Sequence, residues 1–253
     1  MGSFLAIVGR SLARFLSREI HVHGVAPSSS AEQLLAALRP ADVLLVEGHS
    51  RISSAIKYLS QSTWSHAALY VGRLPSADGA SSHCFVEADI LHGVRAVGID
   101  EFTGFHTRIC RPFWLSDTDC GLVTKFAIDR IGQSYDLRNI IDLARYLLPN
   151  PPVPVRFRRR MLSLGSGDPT KAICSTLIAQ AFQSVRYPVL PIASRRSVDS
   201  PDCPGCVEEI FHVRHHSLFA PRDFDVSPYF QVVKPPISAD FDYKALNWSL
   251  DLP

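Results

Sequence analysis

STWSHAALYVG, residues 62–72, is the stretch that decides the fold of this chain. Its second half is a run of apolar and aromatic side chains of strand length, which is typical of a buried β-strand. His66 stands at the start of that strand, directly after Trp64 and Ser65. A histidine in this position is either packed and structural or one half of a catalytic pair whose partner comes from another part of the chain.

Further strands and helices are predicted around this stretch. Strands are predicted where apolar runs are bounded by turn residues, in DVLLVEG (42–48), HCFVEAD (83–89), VRAVGID (94–100) and TRICRPFW (107–114). Helices are predicted at 31–38 after the cap Ser30, at 51–60 after the cap Ser50, at 122–131, at 139–147 and in the run that begins at Cys174. Strands clustered in the middle of the chain, with helices before and after them, predict an α+β fold.

The composition is that of an ordinary globular protein and does not suggest a dedicated nucleic-acid binder. The 253 residues are 46% hydrophobic and 20% charged, with a net charge of +2. Six cysteines are spread without the spacing of a disulfide framework, apart from one closely spaced pair, which favours a reducing, cytoplasmic compartment. We expect an N-terminal helical segment over 1–39, a core over 40–190 and a C-terminal extension over 191–253 that packs on the core.

Two basic segments raise the question of membrane contact. The first is an amphipathic helix expected within the first 20 residues; docking on the protein's own core is favoured over lying on a membrane surface. The second is the run 156–160, which is either a solvated loop or a contact with anionic lipid or a partner. No segment approaches the length of a membrane span. The expectation is therefore a cytoplasmic protein, with peripheral contact at the inner membrane face as the alternative.

Cys174 is the candidate nucleophile. It begins the helix-like run CSTLIAQAF, and a thiol at a helix N-terminus has a lowered pKa because it lies at the positive end of the helix dipole. A nearby imidazolium would lower that pKa further and leave a thiolate able to attack a carbonyl carbon. The alternative is a buried cysteine that acts as a small apolar side chain.

His66 and Glu87 could lie side by side. If their two strands pair in antiparallel fashion with 66 opposite 87, then 68 faces 85 and 70 faces 83, and alternate residues share one face of the sheet. The carboxylate would then orient the imidazole, which completes the arrangement of a nucleophile, a base and an orienting acid.

A second group of candidate ligands lies in the tail. Cys203 and Cys206, followed by His212 and His215, could hold a structural zinc ion, although the gap between the cysteines and the histidines is shorter than in a zinc finger. Two structural thiols are favoured over zinc, and a disulfide is the third possibility. We expect no metal in the chemistry and no cofactor.

Five segments occur in the order expected for circularly permuted NlpC/P60 proteins: ADVLLVEG (41–48), TWSHAALYVG (63–72), FVEAD (85–89), IGQSYD (131–136) and AICSTLIAQAF (172–182). Over residues 40 to 185 the chain resembles the YiiX/YebB-like and lipo-like branch of permuted papain-like cysteine hydrolases. In this resemblance the family's histidine, acid and cysteine match His66, Glu87 and Cys174. It implies a papain-like α+β core, in which the helix bearing Cys174 packs against an antiparallel sheet bearing the other two.

The resemblance also implies an activity. Related families cleave amide or ester bonds through a thioester on the cysteine, and lipid acyltransferases of this type form the same intermediate. The expected partner is a small-molecule, peptide or acyl-lipid substrate, and a non-catalytic papain-like binding module is the alternative of a different class.

Four further residues are assigned beside the triad. Tyr135 resembles a family tyrosine near the site and would be a second oxyanion donor beside the Cys174 N–H, or else a core tyrosine. Trp64 and Ser65 are grouped with it as substrate-binding candidates, and Trp64 is expected to shield the pair from water. Asp42 is interpreted as a structural turn residue, because Ala41 stands where related sequences have glycine.

Overall fold

The computed structural model describes residues 29–75, 81–133, 173–200, 203–236 and 242–245, together with 15, 17–18 and 247. Side chains at 75, 81–84, 173, 198–200 and 203–205 lie outside that description. So do the helix predicted at 139–147, most of the predicted N-terminal helix and the basic run 156–160.

An antiparallel sheet of six strands forms the centre of the fold, in the order β4-β3-β2-β1-β5-β8. Its strands are β1 (Val43–Glu47), β2 (His66–Pro75), β3 (Ser81–Asp89), β4 (Gly93–Val97), β5 (His106–Pro112) and β8 (Phe230–Val233). Two further strands, β6 (Ile192–Ser200) and β7 (Cys203–His212), pair only with each other among the described residues.

The described helices are α1 (Ala31–Ala37), α2 (Arg51–Ser60), α3 (Asp117–Ile128), α4 (Ile173–Ser184) and α5 (Arg222–Asp225), with short 3-10 turns at Ile99–Phe102, His216–Leu218 and Tyr243–Ala245. Ser30 and Ser50 cap α1 and α2 as predicted, each accepting the backbone N–H of the third helical residue. Helix α3 begins five residues earlier than predicted, because Ser116 caps it by accepting the N–H of Asp119. None of the described helices has the length and apolar composition needed to cross a bilayer.

Both faces of the sheet are covered. On one face, Leu69 and other strand residues pack in one apolar cluster with Ile178 of α4 and with side chains of α3. On the other face, Leu44 and Tyr70 pack against Leu34 of α1. The run of β1 is therefore apolar without alternation, because successive side chains enter two different cores. The fold is α+β, as predicted.

Residues of the C-terminal tail lie within this core and do not only pack on its outside. Phe224 and Phe230 lie in the same apolar cluster as Phe182 of α4, and the rings of Phe182 and Phe230 meet edge to face at 5.1 Å. Strand β8 also forms the edge of the central sheet beside β5. The boundary expected at 190 therefore does not coincide with a gap in the packing.

Candidate active site

Strand β2 starts at His66, and its pairing with β3 brings the histidine near Glu87. The observed register sets Ala68 opposite Glu87 and Tyr70 opposite Phe85, with a bulge before Gly72. The predicted register is therefore wrong by two residues. Because side chains alternate with a period of two, this slip keeps His66 and Glu87 on one face as diagonal neighbours.

His66 and Glu87 are in direct contact. The ring Nε2 lies 2.6 Å from Oε2 of Glu87, and the carboxylate is 2% exposed whereas the imidazole retains 27% of its side-chain exposure. A buried carboxylate at this distance fixes the orientation of the ring, while the ring remains reachable from solvent.

Cys174 lies in the first turn of α4 and is 5% exposed. Its thiol lies close enough to His66 to act on the pKa of the ring. Because Nε2 of the ring contacts Glu87, Nδ1 is the nitrogen that remains for the thiol. The structure thus brings together the three residues that sequence analysis selected from two strands and a distant helix.

The electrostatics favour a charged His66. Burial by itself would lower the pKa of His66, but the charge and hydrogen bond of Cys174, followed by those of Glu87, raise it well above its ordinary value. Burial by itself would raise the pKa of Glu87, but the hydrogen bond and charge of His66, and then Arg95, lower it. This arrangement favours an imidazolium paired with the Glu87 carboxylate.

Arg95 and Glu101 extend the chain of charges, and sequence analysis missed both. Arg95 stands opposite Glu87 in the β3–β4 register and donates from Nε to Oε1 at 2.8 Å. Its terminal nitrogen Nη2 donates to Oε1 of Glu101 at 2.6 Å. The short hairpin that pairs Asp89 with Gly93 could have revealed the first contact, because a short loop determines which residues of the two strands face each other.

Trp64 is buried and held on several sides. Its indole N–H donates to Asp225 of α5 at 3.0 Å, and its ring stacks on His106 at 5.3 Å. Arg108 lies over the indole and pairs with both oxygens of Asp225. The indole N–H is thus already bonded, and the ring forms a fixed wall two residues before His66.

Ser65 joins the end of β1 to the start of β2. Its buried hydroxyl accepts the N–H of Gly48 at 2.9 Å and contacts the carbonyl of Val46. A Cβ on Gly48 would lie 2.4 Å from Oγ of Ser53 and 3.0 Å from Oγ of Ser65, so any larger residue here would displace the Ser53 hydroxyl. Tyr135, the other predicted oxyanion donor, lies outside the described residues.

Asp42 is fully buried just before β1. It accepts the backbone N–H of Arg39 at 2.8 Å, and the guanidinium fork of Arg111 reaches both of its oxygens, at 2.8 and 2.7 Å. These contacts hold the turn at residues 39–42 against β5, which is the structural role assigned to Asp42.

The candidate zinc ligands are engaged elsewhere. Nε2 of His212 contacts the hydroxyl of Ser194 at 2.8 Å, and Nδ1 of His215 contacts that of Ser217 at 2.7 Å. Cys206 is disulfide-bonded, so the free thiol favoured for it is wrong; the side chain of Cys203 lies outside the description. Within the described part of the chain, no three His, Cys, Asp or Glu side chains are grouped to hold a metal ion.

A cavity of about 310 Å³ lies at the opposite end of α4 from Cys174. It is lined by Gln183 in the last turn of the helix and by apolar side chains that include Leu190 and Phe211. Cys174 and Gln183 are roughly 13 Å apart along the helix axis at 1.5 Å per residue. This cavity therefore does not surround the thiol.

Comparisons with known proteins give a structural likeness and no sequence match. No family model matches the sequence, and no curated protein matches it. Among solved structures, the chain is similar to the crystal structure of metalloprotein yiiX from Escherichia coli O157:H7, DUF1105, at a TM-score of 0.45 and 14% identity; the match covers 79% of this chain and 98% of that one. At this level of likeness, the chemistry has to be argued from the site itself.

Proposed function

We propose that this protein is a cysteine-dependent hydrolase that cleaves an amide or ester bond through an acyl thioester on Cys174. The observation that carries the proposal is that His66 contacts the buried carboxylate of Glu87 and lies near the thiol of Cys174, which raises its pKa. A base between a thiol and an orienting acid is the arrangement that acyl transfer to sulfur requires.

The chemistry follows from these contacts. The Cys174 thiolate attacks the acyl carbon and forms the C–S bond, while the His66 imidazolium gives its proton to the leaving nitrogen or oxygen as the C–N or C–O bond breaks. Neutral His66 then takes a proton from water, whose oxygen attacks the thioester; the C–S bond breaks, which releases the carboxylic acid and restores the Cys174 thiolate beside the His66 imidazolium. The backbone N–H of Cys174, at the start of α4, is a donor for the oxyanion that forms in both steps.

The fold we infer for this site is a permuted papain-like core. The support is the order and placement of the three residues: the histidine at the start of a central strand, the acid on the next strand, and the cysteine on a later helix packed against the sheet. The substrate we infer is a small amide, a peptide or an acyl lipid. A lipid acyltransferase would differ only in the second step, where an alcohol replaces water.

Labelling of the cysteines tests the proposal. The protein is treated at pH 6.5 with limiting iodoacetamide, and the modified cysteines are identified by peptide mass. Burial raises the pKa of both Cys110 and Cys120, so these thiols are internal controls. Cys174 is expected to react at least about tenfold faster than either, because only it has an imidazole partner, and His66→Ala should abolish the advantage.

Acylation gives the second measurement. p-Nitrophenyl acetate should transfer one acetyl group to Cys174, detected as a burst of p-nitrophenol and as one added acetyl mass, followed by slower hydrolysis. Equal reactivity of the three thiols, together with no acetyl adduct on Cys174, would refute the hydrolase and leave the non-catalytic binding module in its place.

A further inference from the structure

Glu87 poses a physical problem that His66 alone does not solve. Its carboxylate is buried, and burial acts to keep a carboxyl group protonated. A protonated Glu87 would stabilise an imidazolium poorly, and one bonded only through Oε2 would be free to turn about its last torsion. The site therefore needs a group that keeps the carboxylate both charged and fixed.

Arg95 meets both requirements from the neighbouring strand. Two of its nitrogens, Nε and a terminal nitrogen, lie 2.8 and 2.7 Å from Oε1 of Glu87, while Oε2 is left for His66. The direct pairing of Glu87 with Arg95 in the β3–β4 ladder makes this contact a consequence of the register. Glu101, in the 3-10 turn after β4, accepts from the same terminal nitrogen of Arg95 at 2.6 Å.

We propose that Arg95 is a positioning residue of the active site, which holds Glu87 with one oxygen turned toward His66 and is itself held by Glu101. Its importance for catalysis rests on the hydrolase function proposed above, whereas its effect on His66 does not. The charged and titratable groups that the described structure places against this unit are Cys174 of α4 on one side of His66 and Arg95, backed by Glu101, behind Glu87.

The direction in which the pKa of His66 moves when Arg95 is replaced separates a positioning role from simple charge repulsion. Arg95 is a cation near His66, so removing its charge without any other change would make the imidazolium easier to form and raise the pKa of His66. If Arg95 instead keeps Glu87 ionised and oriented, its loss weakens the carboxylate's support, and the pKa of His66 falls. The two mechanisms predict shifts in opposite directions.

The experiment titrates the His66 ring by NMR in the full-length Cys174→Ala protein, with and without Arg95→Met. The thiol is removed so that its charge does not contribute. We expect His66 to lose its proton at lower pH in Arg95→Met. The matched control is Arg195→Met, which removes the arginine of another cross-strand arginine–glutamate pair on the exposed β6–β7 hairpin and should leave His66 unchanged. An unchanged or raised titration midpoint in Arg95→Met overturns the proposal.

Arg95→Lys keeps the inference falsifiable if the methionine variant does not fold. Lysine retains the charge but lacks the guanidinium fork that reaches Glu87 and Glu101 together. The positioning role predicts a smaller shift in the same direction, and a titration identical to that of the Cys174→Ala parent overturns it.

Acetylation by p-nitrophenyl acetate, measured with Cys174 intact, connects this inference to function. Burst rates should fall about tenfold in Arg95→Met at neutral pH and recover in part in Arg95→Lys, as a misplaced orienting group predicts. If the unaltered protein gives no burst, the hydrolase proposal fails while the titration still decides the role of Arg95. If the burst is present and Arg95→Met leaves it unchanged, Arg95 has no positioning role in catalysis.

Discussion

Two buried carboxylates in one sheet, Glu87 and Asp42, are each paired with an arginine, yet they are connected differently. The guanidinium of Arg111 donates to both carboxylate oxygens of Asp42, and Oδ2 also accepts the backbone N–H of Arg39. The fork of Arg95 takes only Oε1 of Glu87, which leaves Oε2 for a titratable ring. The pair of Asp42 and Arg111 therefore has a structural role, whereas the pair of Glu87 and Arg95 keeps one carboxylate oxygen bonded to the catalytic candidate His66.

The protonation of the two acids differs accordingly. Burial raises the pKa of Asp42 despite the hydrogen bonds and charge of Arg111. Burial acts on Glu87 in the same direction, but His66 and then Arg95 together lower its pKa. Burial outweighs the charges of Arg111 and Arg39 at Asp42, whereas His66 and Arg95 together outweigh burial at Glu87. At Glu87 the guanidinium therefore adds to His66 in keeping the carboxylate charged.

The largest expected effect comes from Glu87→Gln. Because the Arg95 fork attracts the amide oxygen, the amide NH₂ faces His66 and donates to Nε2, which leaves the proton on Nδ1, where the thiol has to be deprotonated. The rate of acetylation of Cys174 should fall about 10⁴-fold at pH 7, as in a serine triad whose histidine is in the wrong tautomer. The measurement is the p-nitrophenol burst, with the folded state checked by circular dichroism. A burst at the rate of the unaltered protein would mean that Glu87 does not orient the base.

Arg111→Met tests the pair of Asp42 and Arg111 and should separate stability from activity. It leaves the fully buried Asp42 without its counter-charge, which should cost about 3 kcal/mol of unfolding free energy at pH 7. The loss should shrink as the pH falls and Asp42 takes up a proton. Urea unfolding measures the cost, and the acetylation burst, measured well below the melting temperature, should stay within about twofold because the pair does not touch His66. A loss of the burst larger than about tenfold in folded protein would contradict the structural role of Asp42.

Much of the fold and of the candidate site can be predicted from the sequence. The apolar runs predict five strands of the sheet, and serine caps predict the starts of α1 and α2. The side-chain chemistry and the chain order together select His66, Glu87 and Cys174. The face shared by His66 and Glu87 follows from strand periodicity even though the register is wrong. Local patterns are sufficient for the strands, the caps and the shared face because each depends on residues close in the chain, whereas the selection of Cys174 depends on the order of segments along the whole chain.

Other features depend on contacts that local patterns do not encode. Strand β8 has four residues at a sheet edge, too few to show a period, and it forms by pairing with β5. The bulge between Tyr70 and Gly72 shifts the β2–β3 register, and Gly72, at a φ of 90°, marks the bulge without showing which residues of β3 it faces. The anchoring of Trp64 joins it to Asp225, which lies far along the chain in α5. These features arise from packing and become predictable only once the sheet order is known.

Gly48→Ala tests the end of β1 that supports His66, opposite the end that holds Asp42. The added methyl group would lie 2.4 Å from the Ser53 hydroxyl and 3.0 Å from that of Ser65. The Ser53 hydroxyl and the hydrogen bond from the Gly48 N–H to Ser65, which joins β1 to β2, therefore have to shift. We expect a loss of about 2 kcal/mol of unfolding free energy and about a tenfold slower acetylation of Cys174.

Gly121→Ala is the matched control for this substitution. It lies in α3, where an added Cβ meets nothing within 4 Å, and alanine there should stabilise the protein by about 0.5–1 kcal/mol with no change in the burst. If Gly48→Ala unfolds and reacts like the control, the close approach at Gly48 does not position His66.

The smallest expected effect is in the pH dependence of stability, where the two acids should act in opposite directions. The pKa of Glu87 is lower in the folded than in the unfolded protein, so its contribution is present above the ordinary value of 4.5 and is lost as the pH falls through the folded value. The pKa of Asp42 is raised from 3.8, so the folded state binds the extra proton and its contribution is lost as the pH rises. Urea unfolding between pH 3.5 and about 7 measures both contributions. As the pH rises, the unfolding free energy of Glu87→Gln should decrease relative to that of the unaltered protein, whereas that of Asp42→Asn should increase relative to it. Parallel curves for the two variants would show that the charges of His66 and Arg95 at Glu87 do not set the difference between the two pairs.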